Sequence, residues 1–240
     1  MTFPPFRIES AALTHRGLVR EQNEDGFCLR ERAGLWAVAD GMGGHEGGEW
    51  ASARLVAELD RVELEAELEA AERRLADAIR AANDAIAAEA EARGGRMGTT
   101  LVALLVRERA FLVLWVGDSR AYLLRDGALR RLSRDHSRVQ EMVELGLIAP
   151  AEAAGHPLGH ILTRALGERG GAEIDRAGGE VKAGDVFLLC SDGLHGCVGE
   201  GEIRRQLAQG SPRRALDGLI AAALAAGGPD NVTGIVVRAG

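Results

Sequence analysis

Residues 99–132 read TTLVALLVRERAFLVLWVGDSRAYLLRDGALRRL, and the fold class turns on how this stretch is read. Apolar runs at 101–106, 111–116, 121–124 and 129–132 are separated by short polar turns. The last turn, Arg125-Asp126-Gly127, carries the Asp-Gly signal of a hairpin. A half-exposed antiparallel sheet alternates polar and apolar residues, whereas the first two runs are almost continuously apolar. They are therefore expected to be covered on both faces. Antiparallel strands between a second sheet and a helical layer meet that requirement.

Upstream, 49–93 is rich in Ala, Glu, Leu and Arg and lacks proline and glycine, so it reads as helix. Leu55, Leu59, Leu64, Leu68, Leu75, Ile79 and Ile86 recur at roughly helical spacing. So long a helix is uncommon in a globular domain, and a break is expected near 60–62, with Gly94-Gly95 ending the second helix. The irregular spacing favours packing on a sheet over a coiled coil. Further upstream, strands are expected at 6–13, 26–30 and 35–39, with a polar loop at 14–25. Downstream, 138–147 reads as helix inside a polar excursion at 136–160, and Pro150 opens a second short helix. A buried strand at 186–190 and a helix opened by Ser211-Pro212 lead to a last strand at 232–238. Strands run from end to end with no repeat or linker, so residues 1–240 are read as one domain.

The chain has 240 residues, 46% hydrophobic, and a net charge of -7, which suits a globular protein with an ample core. The negative balance argues against nucleic acid as a partner, since phosphate backbones reward clustered basic residues. Three cysteines, Cys28, Cys190 and Cys197, fit no zinc spacing and read as free thiols. No signal peptide or spanning segment is evident, so no membrane partner and a cytoplasmic location are expected.

Asp40-Gly41-Met42-Gly43-Gly44-His45 follows an apolar strand. Alone it reads equally as a glycine-rich turn or as a cation-binding carboxylate with the Gly41 carbonyl beside it. Asp118 and Asp192 share the setting, each after an apolar strand and next to a glycine, and Asp230 opens the last strand. Strand ends on one edge can converge, and these aspartates would then form a cluster with no nearby lysine. Two unit charges ~4 Å apart repel by about 4 kcal/mol at an effective dielectric of ~20. Divalent cations remove that cost, and all-oxygen ligands favour Mg²⁺ or Mn²⁺. Two such ions can deprotonate a bridging water, and the Arg20 guanidinium beside Glu24 and Asp25 suits a phosphate group.

The motifs together resemble the metal-dependent protein phosphatases, the type-2C or PPM family, in their bacterial form. Arg20-x-x-Asn23-Glu24-Asp25 and Asp40-Gly41-Met42-Gly43-Gly44-His45 are similar to the first two motifs. Gly98-Thr99-Thr100, Gly117-Asp118-Ser119-Arg120, Asp135-His136-Ser137 and Leu162-Thr163-Arg164-Ala165-Leu166-Gly167 follow in the family's order. Ser191-Asp192-Gly193-Leu194 and Asp230-Asn231-Val232-Thr233 close the set. The resemblance implies an α+β fold, a central sandwich of two antiparallel sheets flanked by helices on both sides, with a flap subdomain at about 136–160. It implies two or three divalent cations, Mn²⁺ or Mg²⁺. Asp40 would bridge two of them, with Asp192, Asp230 and the Gly41 carbonyl as further ligands, and Asp118 would hold a third. Glu24 and Asp25 would support the cations, and Arg20 would bind the substrate phosphate.

The implied activity is that of a protein serine/threonine phosphatase. It would hydrolyse phosphoserine and phosphothreonine esters by in-line attack of a metal-bridging hydroxide, opposing a cognate Ser/Thr kinase. The alternative is a non-catalytic phosphoprotein-binding regulator on the same fold. Two positions depart from family patterns. Met42 stands where eukaryotic members carry a histidine thought to protonate the leaving group. His15 stands where an aspartate is common. His45 is expected to pack at the helix start.

Overall fold

The computed structural model describes residues 7–43, 47–153 and 155–240. Its first part comprises β1 (Ile8–His15), β2 (Asp25–Arg30), β3 (Leu35–Met42), α1 (Gly47–Arg61), α2 (Leu68–Ala92), β4 (Gly98–Thr99), β5 (Leu101–Arg107), β6 (Ala110–Val116), β7 (Arg120–Arg125) and β8 (Ala128–Arg131). Then come α3 (Arg138–Glu144), α4 (Pro150–Ala153), β9 (Asp175–Glu180), β10 (Val186–Cys190), α5 (Asp192–His195), α6 (Glu200–Leu207), α7 (Pro212–Ala225) and β11 (Val232–Ala239). One sheet has the order β1-β11-β10-β7-β8 and the other β2-β3-β5-β6-β9, with β4 paired to β3. Neighbours in both sheets are antiparallel.

The continuous apolar run in β5 now has its cause. Leu101, Ala103 and Leu105 face α1 and α2, where Leu55, Leu59, Leu75, Ile79 and Ile86 are buried. Val102, Leu104 and Val106 face the other sheet, among Trp36, Phe187 and Ile235. Side chains alternate along a strand, so a strand between two apolar layers is apolar at every position. On the far side, α6 and α7 lay Ile203, Leu216 and Leu219 against Leu188 and Val236. The layers are helix, sheet, sheet, helix, as expected.

The 49–93 segment breaks close to the expected place, between Arg61 and Leu68. Glu67 caps α2 by accepting the Ala70 N–H at 2.9 Å. Leu64 and Leu68 are only partly buried because they sit in or beside that break. Other expectations need correction. β1 runs to His15 rather than Leu13, paired with β11 along its whole length; the expected start at Phe6 lies outside the described residues. β3 continues through Asp40 and Gly41 to Met42, because β4 pairs with its end. β9 is unexpected: DRAGGE is a polar edge strand with no apolar alternation. α5 and α6 are also unexpected, being of 4 and 8 residues. Among the described residues no helix is long and apolar enough to cross a membrane.

One partly buried ion pair ties the first sheet to a turn. Arg125 donates Nε to Asp185 Oδ1 at 2.7 Å and Nη2 to Oδ2 at 2.6 Å, and Asp185 is 1% exposed. Arg125 keeps access to water, so losing Asp185 costs charge-assisted hydrogen bonds and strands no buried charge. Asp185→Ala is expected to lower the unfolding free energy by about 2 kcal/mol, read as a lower urea midpoint at unchanged m.

Candidate metal centre

The register of β2 on β3 sets Asp25 opposite Asp40 at one end of the second sheet. Asp192 begins just after β10 and Asp230 lies just before β11, so the first sheet delivers its carboxylates at its own strand ends. Ser191 joins the two sheets there. Its hydroxyl donates to Asp25 Oδ2 at 2.8 Å and accepts the Thr233 N–H at 3.0 Å.

The backbone of Asp40 is held from both sides. Its N–H donates to Thr100 Oγ1 at 3.1 Å, and its carbonyl accepts Thr100 N–H at 2.8 Å and Thr99 Oγ1–H at 3.1 Å. Thr100 Oγ1 also shares a 2.7 Å hydrogen bond with Ser119, next to Asp118. One threonine thus couples the Asp40 strand to the Asp118 loop. Gly41 is required by close approach: a Cβ there would lie 2.1 Å from the Gly48 carbonyl and 2.6 Å from that of Glu24. Gly41→Ala is expected to push the start of α1 off β3 and cost about 1–3 kcal/mol, as overpacking does, with metal affinity falling in parallel. Thermal melting with and without Mn²⁺ checks both effects.

Burial raises Asp25, Asp40, Asp118, Asp192 and Glu24. Asp25 is pushed up to about 7, by burial first and then by Asp192 and Asp230 against the hydroxyl donors. Asp118 is pushed up to about 8 by burial, Asp192 and Asp135. Asp40 is raised well above the usual range by burial and by Asp25, Asp192 and Asp118. Asp192 is raised by burial and Asp230, while a hydrogen bond from the Asp40 carboxyl holds it down. Glu24 is raised by burial. Asp25 Oδ1 is buried without a hydrogen-bond partner.

Arg20 is half exposed and donates Nη2 to Asp230 Oδ2 at 2.7 Å. The expected phosphate ligand and an expected metal ligand therefore face each other as an ion pair. Asn231 holds the loop that carries Arg20. Its Nδ2 donates to the Arg16 and Gln22 carbonyls at 2.9 and 2.8 Å, and its Oδ1 accepts the Glu24 N–H at 2.8 Å. Every polar atom of that amide is used, which is why asparagine stands there. His15 acts locally, where its Nδ1 accepts the Gly17 N–H at 3.0 Å and closes the turn that passes Asp230.

Three further residues carry the Asp118 loop, and as letters of a motif they announce no such role. Arg120 grips Asp135 through Nε and Nη2, with Nη2 at 2.6 Å from Oδ2. His136 Nδ1 accepts the Gly117 N–H at 3.1 Å and is buried, so it belongs to the core and not to the flap. The flap helices α3 and α4 follow it, closed by a bridge between Ser137 and Leu162. His195 Nε2 lies 3.0 Å from the Asp118 carbonyl, which makes it the donor; burial and Arg120 push this imidazole down to about 3. Met42 ends β3 with its Cε against Gly98. His45 lies outside the described residues.

The family model described as protein phosphatase 2C matches residues 15–214. The chain belongs to the protein phosphatase 2C family. It is 42% identical over 95% of its length to the serine/threonine protein phosphatase PstP of Mycobacterium tuberculosis, and it spans 44% of that longer protein. It is 38% identical to the serine/threonine phosphatase stp of Listeria monocytogenes, covering 94% of this chain and 93% of that one. The crystal structure of the PstP catalytic domain in complex with two manganese ions superposes with a TM-score of 0.87 at 40% identity, covering 97% of this chain and 98% of that one.

The donor set of this phosphatase 2C chain fits hard divalent ions. Its acids near the sheet junction are carboxylates, the nearby His195 imidazole is bound to the Asp118 carbonyl, and the Cys197 thiol beside Asp192 and Asp230 is held in its protonated form by burial and those two charges. Buried carboxylates that repel one another, with one oxygen left orphaned, are a site that a cation would neutralise. Among the described residues no three acidic, imidazole or thiol groups already surround one point. The acids pair off instead, Asp40 with Asp192 and Asp230 with Arg20, and an incoming ion competes with those two pairs.

Proposed function

We propose that the chain is one catalytic domain, a metal-dependent protein serine/threonine phosphatase that hydrolyses phosphoserine and phosphothreonine esters. Asp40, Asp192, Asp230 and the Gly41 carbonyl hold two Mn²⁺ or Mg²⁺ ions, Asp118 holds a third, and Glu24 and Asp25 support them. The observation that carries this reading is the buried, mutually repelling set of Asp25, Asp40, Asp118 and Asp192 with Arg20 at its rim. The manganese in the PstP structure supports the choice of ion. When bound, the ions supply the positive charge that activates water and polarises a phosphoryl group at neutral pH.

The chain's own residues do the rest. Arg20, released from Asp230, offers a bidentate fork to the phosphate oxygens. Asn231 keeps the Arg20 loop in register with Asp230. Met42 carries no acidic proton, and His195 Nε2 and His15 Nδ1 are bound to backbone groups. Met42 is therefore no general acid, and we assign the leaving-group proton to water. A Ser/Thr kinase that makes the phosphoproteins is the matching partner. Its cytoplasmic setting suits the free thiols of Cys28, Cys190 and Cys197.

The test is release of phosphate from an aryl phosphate in Mn²⁺, before and after EDTA. No turnover, or turnover indifferent to EDTA, sinks the reading. Asp192→Asn separates it from a purely binding role, since phosphopeptide capture would survive that change and catalysis would not.

A further inference from the structure

A groove of about 830 Å³ leads away from the metal centre, with Arg20, Glu24 and Asn231 at one end and Arg93 and Arg96 at the other. Gly43 also lines it, with a φ of +145° and a position at which a Cβ would lie 2.7 Å from the Arg96 carbonyl. This glycine lets the segment after α2 press against the end of β3. The β3–β4 register, Met42 opposite Gly98, fixes the spacing. Asp40 precedes Met42 by two residues and Arg96 precedes Gly98 by two, so four residue steps, ~13 Å at strand rise, separate them.

The two arginines at the far end differ. Arg93 is neutralised by Glu89 at 2.8 Å and lies over the Trp50 ring, 5.6 Å from its centroid. Arg96 is exposed and, among the described residues, makes no hydrogen bond or ion pair. The groove's own carboxylates, Glu21 and Glu24, flank Arg20 at the metal end. A guanidinium without a partner among the described residues, held within a few residues' reach of Arg20, is placed to meet a second negative charge on an extended substrate.

We infer that Arg96 forms an anion subsite that selects phosphoprotein segments carrying an acidic side chain or a second phosphate two to four residues from the phosphoresidue being cleaved. The inference rests on the phosphatase reading and extends it to substrate choice. An exposed charge pair is worth up to ~1 kcal/mol, so the preference is expected to be about three- to fivefold for a carboxylate and larger for a phosphate, shrinking with salt.

The experiment compares kcat/KM for phosphothreonine peptides that differ only at a position three residues away, on either side, which is alanine, glutamate or phosphoserine. Loss of the phosphothreonine phosphate is followed by mass. Wild type is expected to favour glutamate over alanine about threefold and phosphoserine by more. Arg96→Lys is expected to keep that order and Arg96→Glu to reverse it. Each ratio is taken within one protein, so changes in folding or metal content cancel. A wild-type ratio of one, with the alanine peptide still cleaved, overturns the subsite and leaves the phosphatase reading standing. A preference unchanged in Arg96→Glu does the same. No cleavage of any peptide in Mn²⁺ overturns both.

Discussion

Asp40→Asn is expected to fold, to melt at a higher temperature than wild type in EDTA, and to release phosphate about a thousandfold more slowly in Mn²⁺. The fold survives because residue 40 is held through its backbone by Thr99 and Thr100, and an amide can still donate to Asp192 as the Asp40 carboxyl does. The gain in stability follows from electrostatics. Burial, Asp25, Asp192 and Asp118 all oppose a charge on Asp40, and an amide of the same shape removes it. The loss of rate follows from the same carboxylate's proposed place between two cations. Metal Lewis acidity is worth several kcal/mol, and each 1.36 kcal/mol is tenfold in rate, so losing it costs on the order of 10³. A group that destabilises the folded protein while serving the reaction is a stability–activity trade-off. Loss of melting temperature in EDTA, or retained turnover, contradicts this account of Asp40.

Opposite responses to pH with and without metal are the second large effect. Asp25 and Asp118 titrate near 7 and 8 in the folded chain, and Asp40 and Asp192 are also raised. In the unfolded chain aspartates titrate near ~4. Between roughly pH 4 and 8 the folded protein therefore holds protons that the unfolded chain has lost, and stability falls as pH rises through that window. Metal-free protein should melt higher at pH 5.5 than at pH 8. Asp135, lowered below the usual range because Arg120 and Arg131 outweigh its burial, loses its contribution only at still lower pH, while the buried His195 and His136, both lowered, oppose the slope below about pH 6.5 as two groups against four raised aspartates. Mn²⁺ competes with the same protons, so its stabilising increment should grow with pH. At a hundredfold excess over Kd the increment is ~2.7 kcal/mol, roughly 5–10 °C in Tm for a chain of this size. Melting curves at both pH values, in EDTA and in Mn²⁺, check the sign of each slope.

Much of this arrangement was legible in the chain because the decisive signals are local. The β5 and β6 runs are apolar at every position, which only a doubly covered strand requires. Asp40 and Asp192 stand next to glycines that cannot carry a Cβ, since at Gly41 and Gly193 it would meet backbone oxygens at 2.1 and 2.0 Å. What stayed hidden depends on partners distant in sequence. Asn231 reads as a turn residue until its three contacts with residues 16–24 are known. Thr100 reads as one more β-branched residue until it is found between Asp40 and Ser119. β9 is polar and glycine-containing because it is an edge strand, and periodicity does not mark such a strand. The pairing of Arg20 with Asp230 joins residues 210 positions apart, and no local pattern announces it.

Titration calorimetry of EDTA-stripped protein with MnCl₂ near pH 7, repeated in buffers of different ionisation enthalpy, tests the carboxylate centre most directly. The expected result is binding of at least two ions per chain with release of protons from Asp25, Asp118 and their neighbours, and loss of at least one ion in Asp40→Asn. Absence of binding, or identical binding by wild type and Asp40→Asn, would contradict it.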